Sequence, residues 1–342
     1  MDNSIDFYKS LPKVELHRHL EGALRLKTML EVAHAHGITI PDSMGPLSNL
    51  VQVQTSEPYT YQNFLAKFNT LRMFFISPEV IQRVTREAVE DAAKDNVRYL
   101  ELRFTPVALS CAGRFPLGEV MDWACESANQ AAREFGISVR LIASVNRHET
   151  VELAEQVAWL AIDRFGDGML GMDLAGNEAE FSAVPFLGVL KEAHQSGLRL
   201  TVHAGEWAGA ANVHEALETF HADRIGHGVR VMEDPNTVAL ARERGTAFEV
   251  CVTSNYLTGV VQSIEDHPIM KMLNAGLNVT LSTDDPSISQ ITLADEYHRI
   301  CEDLGMEHKL LKARILAAAQ ASFLPEAERG KLMDQLRKEL SI

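Results

Sequence analysis

The chain has 342 residues, 46% of them hydrophobic, enough to bury a large core as one big barrel or as two domains. A formal charge of −15 argues against nucleic acid or an anionic membrane as the main partner, since both call for basic patches. Cys111, Cys125, Cys251 and Cys301 form no C-x-x-C pair and are expected to be reduced, mostly buried thiols. The N-terminal MDNSIDFYKSLP lacks a hydrophobic signal core, and no apolar run reaches the ~20 residues of a membrane helix, so a cytoplasmic protein is expected.

Short apolar, β-branched runs alternate with longer helical patterns. In chain order the runs are KVELH (13–17), VRYLELRF (97–104), ISVRLIASV (137–145), MLGMDLAG (169–176), LRLTVHAG (198–205), RIGHG (224–228), AFEVCVTSN (247–255) and LNVTLSTDD (277–285). Between the first two, SPEVIQRVTREAVEDAAKDN predicts a helix with Ser77 as N-cap and Pro78 at its first position. Its buried face should carry Ile81, Val84, Ala88 and Ala92. EAHQSGLRL and RERGTAFEV each pass through glycine from a helix end into a strand.

Alternation of this kind implies parallel pairing, and eight units imply an α/β fold, a (β/α)8 TIM barrel. An open doubly wound sheet would bring a phosphate loop or G-x-G-x-x-G after the first strand, and neither is present. Residues 1–342 read as one barrel domain. The stretch of about 20–96 is too long for a single barrel helix and should lay a helical lid over the mouth. Residues 305–342 should add helices at the C-terminus.

The C-terminal strand ends share one face of such a barrel, the face that hosts active sites. There the sequence places His17 and His19, then Asp173 and Gly176, His203 with Glu206, His227, Thr253-Ser254-Asn255, and Asp284-Asp285. Side chains alternate along a strand, so His17 and His19 can both face the axis. A single H-x-H is more often chance than a metal site, and Asp284-Asp285 before Pro286 could merely cap a helix. Independent accidents at so many strand ends are much harder to credit. Imidazoles with a carboxylate suit zinc or a similar divalent ion, with His17, His19, His203 and Asp284 as ligands. Such an ion can lower the pKa of its water to roughly 7, which points to metal-assisted hydrolysis.

The motif series LPKVELHRHLEGAL, MDLAGNE, TVHAGE, RIGHGVR and LSTDDP resembles that of the adenosine deaminase family, in the metal-dependent amidohydrolase superfamily, from residue 11 through SFLPEAERGKL. The resemblance implies one Zn2+ per chain and hydrolytic deamination of adenosine and 2′-deoxyadenosine to inosine and 2′-deoxyinosine plus ammonia. It implies Glu206 as the proton donor to purine N1, His227 as the residue that orients and deprotonates the water, Asp285 as the partner of N7, and the Gly176 N–H as donor to N3. Asp173-Leu174-Ala175-Gly176 offers no lysine for a second metal, and no P-C-x-x-C follows His19-Leu20-Glu21 to suggest the other zinc deaminase fold.

Substrate choice falls to other residues. YTYQNFLAKFNTL (59–71) resembles the nucleoside enzymes' lid helix, with Phe64, Leu65 and Phe68 on one face over the substrate or packed on the barrel. Glu21 stands where those enzymes usually carry the Asp that contacts the ribose 5′ hydroxyl, and it reaches one methylene further. Adenine, or an adenosine altered at the 5′ position, is therefore the alternative substrate. A catalytically silent nucleoside-binding barrel is the alternative of another class. Arg18 should point away from the metal, Glu15, on the inward face with His17, should either support the metal ligands from behind or form a core ion pair, and the remaining histidines, among them His267, should mostly serve surface or packing roles. Oligomeric state is not legible.

Overall fold

The computed structural model describes residues 4–342, so the first three residues of the N-terminal stretch lie outside it. Eight strands, β1 (Lys13–His19), β2 (Val97–Phe104), β3 (Ser138–Asn146), β4 (Met169–Ala175), β5 (Arg199–Ala204), β6 (Arg224–His227), β7 (Ala247–Val250) and β8 (Asn278–Leu281), form one parallel sheet in sequential order. The barrel closes between its ends. His19 N donates to Asp284 O at 2.8 Å, and Asp284 N donates to His17 O at 3.0 Å.

The outward residues of β2 and β5 are apolar and buried, among them Leu100, Leu102, Leu200 and Val202. The alternate positions point inward, and there the barrel is charged rather than filled with branched aliphatics. Glu101, Arg103, Asp173, Arg224 and Glu249 are all buried inside it. Each is paired. Arg224 bridges Glu101 and Glu249 at 2.5 Å each, with its guanidinium 3.5 Å from the Phe323 ring centre, and Arg103 joins Glu249 at 2.8 Å to Asp173 at 3.3 Å. Buried charges survive only when so matched.

The segment after β1 contains helices Leu26–His36, Met44–Val51, Tyr61–Leu71 and Pro78–Lys94. In the last of these Ser77 accepts from Val80 N at 3.3 Å, Pro78 occupies the first turn, and Ile81, Val84, Ala88 and Ala92 are buried, as the periodicity predicts. Helices His308–Ala321 and Glu326–Leu340 lie at the C-terminus. None of the described helices is long and apolar enough to cross a membrane. Cys125, Cys251 and Cys301 are buried, Cys111 is exposed, and all four are free thiols.

Two stretches depart from the sequence reading. β7 stops at Val250, and Val252–Leu257 turns into a short helix. Glu296 draws the chain round by accepting from Thr253 N at 2.9 Å and from the Thr253 hydroxyl. β1 breaks register between Glu15 and Arg18. Simple alternation separates these two residues by face, yet Arg18 Nη2 pairs with Glu15 Oε2 at 2.6 Å. A local irregularity in the pleat permits that contact.

Candidate active site

His17, His19, His203 and Asp284 converge at the C-terminal end of the barrel, with one donor atom from each lying within 4.8 Å of the others. His17 Nε2 stands 3.1 Å and His19 Nε2 3.3 Å from Asp284 Oδ1. Donors held at about 2.0–2.1 Å by a tetrahedral zinc stand roughly 3.3 Å apart, so this spacing fits. His17 Nε2 is buried and has no hydrogen-bond partner, an orphan that a metal ion would satisfy. Three imidazole nitrogens and one carboxylate oxygen are also the donor chemistry for such an ion.

Each side chain is held from behind. His17 Nδ1 meets Glu249 Oε2 at 2.8 Å, and His203 Nδ1 meets Asp173 Oδ1 at 2.9 Å. A carboxylate there accepts a hydrogen bond from Nδ1–H, which fixes the tautomer and turns the free Nε2 toward the cluster. Burial works against the charge on both carboxylates. It is outweighed at Asp173 by His203 and Arg103, and at Glu249 by Arg103 and Arg224, so both are held well below the usual carboxylate range. Ser254 Oγ donates to Asp284 Oδ2 at 2.7 Å. Asp284 and His227 adopt left-handed backbone, with φ of 65° and 57°. For non-glycine residues this costs of order 1–3 kcal/mol each, and it re-aims the side chains at the strand ends.

Glu206 and His227 form a second group with Asp284, with His227 Nε2 3.6 Å from Glu206 Oε2. Burial, then the charges of Asp284 and Glu178, push the Glu206 carboxyl well above its ordinary range. Glu178 supports the loop that carries it, accepting from the backbone N–H groups of Gly205 at 2.6 Å, Glu206 at 2.9 Å and Trp207 at 3.0 Å. Asp285 precedes the short helix Pro286–Ser289 but makes no side-chain cap, so its carboxylate is free of that duty. Its Oδ1 is buried without a partner, and burial followed by Asp284 and Glu21 raises its pKa strongly. Gly22 makes room for it, since a Cβ there would stand 1.8 Å from Asp285 Oδ1.

These groups open into one cavity of about 440 Å³, lined by His19, Glu21, Gly176, His203, Glu206, His227, Asp284 and Asp285 and roofed by Phe64, Leu65 and Phe68. Gly176 has φ of 90°, and a Cβ there would crowd Arg147 N at 3.0 Å. Glu21 Oε1 accepts from Thr105 N at 2.7 Å, while its Oε2 is buried and unpartnered. Tyr61 stacks on Trp207 at 5.1 Å, joining helix Tyr61–Leu71 to the Glu206 loop.

The structure thus places every predicted site residue at or beneath one cavity. It also adds residues to which the sequence reading assigned no role at the site. Asp173 and Glu249 orient imidazoles, Glu178 shapes the Glu206 loop, and His267 belongs to a buried chain of contacts. Ile269 N donates to His267 Nδ1 at 3.2 Å, which leaves His267 Nε2 to donate to Asn255 Oδ1 at 3.2 Å. Asn255 Nδ2 then donates to His227 Nδ1 at 3.1 Å, leaving the proton of a neutral His227 on Nε2, toward Glu206. An inward carboxylate in an apolar strand was the available signal for Glu249. Nothing local marks His267.

The family model described as adenosine deaminase matches residues 12–339. Adenosine deaminases of Clostridium perfringens (strain SM101) and Klebsiella pneumoniae (strain 342) are 34% and 33% identical, over 94% and 96% of this chain and 97% and 98% of their own. Among solved structures, a zinc-bound amidohydrolase from Burkholderia ambifaria superposes with a TM-score of 0.88 at 26% identity, covering 100% of this chain and 95% of the other. The adenine deaminase of Arthrobacter aurescens gives 0.89 at 26% identity, with 97% and 100% covered. The Arabidopsis ADAL protein complexed with IMP gives 0.86 at 28% identity, with 97% and 98% covered. On the full-length family match and these identities, the chain belongs to the adenosine deaminase family.

Proposed function

We propose that this protein hydrolyses the 6-amino group of adenosine and 2′-deoxyadenosine, releasing inosine or 2′-deoxyinosine and ammonia, with one zinc ion per chain. One observation carries the reading: three imidazoles and a carboxylate focus on a point at the floor of a cavity whose next residues are two buried carboxyls, Glu206 and Asp285. His17, His19, His203 and Asp284 would hold the ion. When bound, it supplies an activated water near neutral pH.

The remaining chemistry belongs to side chains. Glu206, kept protonated by burial, donates to purine N1 and makes C6 electrophilic. His227, whose Nε2–H faces Glu206 because Asn255 donates to its Nδ1, orients the water. Once Glu206 has given its proton to N1, its carboxylate takes the Nε2 proton, and Nε2 then accepts the water's proton as the oxygen adds to C6. Protons are then returned to the amino group, which leaves as ammonia, while the C6 oxygen remains as the carbonyl. Asp285 Oδ1, lacking a protein partner, is available to share a proton with N7, and the Gly176 N–H to reach N3. The whole chain acts as one unit, with residues of about 20–96 as its lid.

A free base or a 5′-modified nucleoside is the second reading, favoured by Glu21 with its unpartnered Oε2 in the cavity. Ultraviolet steady-state assays on adenosine, 2′-deoxyadenosine and adenine, with protein of measured metal content, separate the two. The expected result is turnover of the nucleosides with about one zinc per chain. Faster turnover of adenine defeats the nucleoside assignment.

A further inference from the structure

His227 owes the place of its proton to a residue behind the cavity wall. His267 is buried just before the short helix Ile269–Asn274 and is not among the described residues that line the cavity. Its Nδ1 accepts from Ile269 N at 3.2 Å. That donor is the first N–H of a helix, which has no partner within the helix, and a backbone N–H can never become an acceptor. Every hydrogen bond beyond it inherits this direction. His267 carries its proton on Nε2 and donates it to Asn255 Oδ1 at 3.2 Å, so Asn255 Nδ2 is the atom that faces His227 Nδ1 at 3.1 Å. Turned over, the Asn255 amide would set its hydrogens against the His267 Nε2–H, two buried donors with no acceptor between them. Nor is Asn255 free to shift, since its N donates to Cys251 O and its carbonyl accepts from Val260 N, both at 2.9 Å.

Both nitrogens of His227 are thereby committed. Nδ1 receives the Asn255 donor, and Nε2 holds the proton of the neutral ring 3.6 Å from Glu206 Oε2. An imidazole in this state has no lone pair free for the Glu206 proton. The opposite tautomer would turn a bare Nε2 toward that carboxyl. With an ordinary pKa of about 6.5, such a ring is basic enough to take a proton from a carboxyl group. The proton would then pass to His227 instead of to the substrate, and the acid needed at N1 would be spent.

Resting on the deaminase reading above, we propose that His267, acting through Asn255, is a positioning residue that reserves the Glu206 proton for purine N1 and lets His227 act as a base only after that proton has been delivered. The transfers balance. The Glu206 O–H bond breaks as N1–H forms, and the Glu206 carboxylate then takes the Nε2 proton of His227. The lone pair freed on Nε2 takes the water's proton as the C6–O bond forms. Each proton moves one place and none leaves the site. The order is set by hydrogen-bond direction, which starts at the backbone of Ile269, 42 positions from His227 in the chain. Burial lowers the pKa of His267 to about 3, so its Nδ1 stays an acceptor at neutral pH.

Nitrogen NMR of isotope-labelled histidine in the zinc-loaded protein reads the tautomer of His227, whose signals are identified by their loss in His227→Asn. The wild type is expected to show Nδ1 bare and Nε2 protonated. Asn255→Asp keeps the shape of the side chain but sets an acceptor at His227 Nδ1, and should reverse that pattern. Its kcat for adenosine should fall by about 10²–10⁴-fold, the scale set by a misdirected catalytic proton, with KM within about 3-fold and zinc retained. His267→Phe releases Asn255 to turn either way. It should give mixed tautomers and a kcat loss of about 10–100-fold. His267→Gln keeps an N–H donor for Asn255 and should restore the wild-type pattern and most of kcat, as a side chain that only caps or packs has no reason to do. A wild-type His227 with its proton on Nδ1 overturns the proposal. So does a reversed tautomer in Asn255→Asp with normal kcat, or a folded His267→Phe with tautomer and kcat both unchanged. If His267→Phe does not fold, Asn255→Asp decides alone. The spectra need no turnover. The expected tautomers in a wild type that deaminates no adenine compound support the relay and defeat only the reaction assignment.

Discussion

The two ends of the cavity are built on different principles. At the floor, the imidazoles of His17 and His203 are aimed by buried carboxylates, which are in turn clamped by Arg103 and Arg224. At the roof, Phe64, Leu65 and Phe68 come from one helix of an inserted segment, and the polar atoms beside them, Glu21 Oε2 and Arg72 Nε, lack hydrogen-bond partners in the protein. The contrast separates reaction from selection. A cluster held from several sides tolerates little displacement, whereas a wall of side chains on one helix can change its ligand without disturbing the floor.

Changes at the floor should therefore be severe and act on kcat or on metal, while changes at the roof should be milder and act on KM. The largest effect is expected for His17→Ala, which removes a ligand. Elemental analysis should show most of the zinc gone and activity down by about 10³-fold or more; full occupancy would end its assignment as a ligand. Glu206→Gln should retain zinc yet lose about 10²–10⁴-fold in kcat, the usual worth of a positioned proton donor. Normal turnover by that variant would place the proton elsewhere.

Next in size is Glu249→Gln, which leaves His17 Nδ1 a weaker acceptor and Arg103 and Arg224 underpaired. Titration against a chelator should show metal affinity down by about 10–100-fold. Unchanged affinity would mean that the clamp supports folding alone.

His267 offers a pH test at the edge of the floor. Burial lowers its pKa to about 3, against 6.5 for the ordinary side chain, so the folded protein keeps it neutral. The unfolded chain binds the proton first as pH falls. The stability this group contributes is whole above about pH 6.5 and declines, by about 1.4 kcal/mol per pH unit at most, between there and pH 3. Urea unfolding of His267→Gln should show a shallower loss over that window than wild type; parallel curves would contradict the buried neutral ring. The smallest effect is expected at the roof. Phe68→Ala should raise KM for adenosine about 3–10-fold with kcat little changed, as loss of uniform binding predicts. A kcat loss as large as that of Glu206→Gln would erase the distinction between the two ends.

Much of the floor was readable in advance because strand ends impose order. Once eight parallel strands are recognised, His17, His203, His227 and Asp284 must share a face, and the structure brings them together. Asp285 was ambiguous between cap and ligand contact, and only the absence of a side-chain cap resolved it. The helical turn at Val252–Leu257 was hidden, because the strand-like run through Cys251 is overruled by Glu296, 43 positions away from Thr253. His267 was hidden for the same reason, since its partner Asn255 is reached through a loop with no periodic pattern.

Local order was thus written in the chain itself: alternation of strands and helices, the Ser77 cap and the residue types at each strand end follow from short-range sterics and hydrophobic period. What only tertiary structure decided was pairing at long range. Glu249 behind His17, Glu178 beneath Glu206 and the buried Arg72 Nε without a hydrogen-bond partner in the roof are facts of distance between segments far apart in sequence. A charge's worth depends on what lies within a few ångströms of it and on how much water has been excluded, and neither quantity has a local signature.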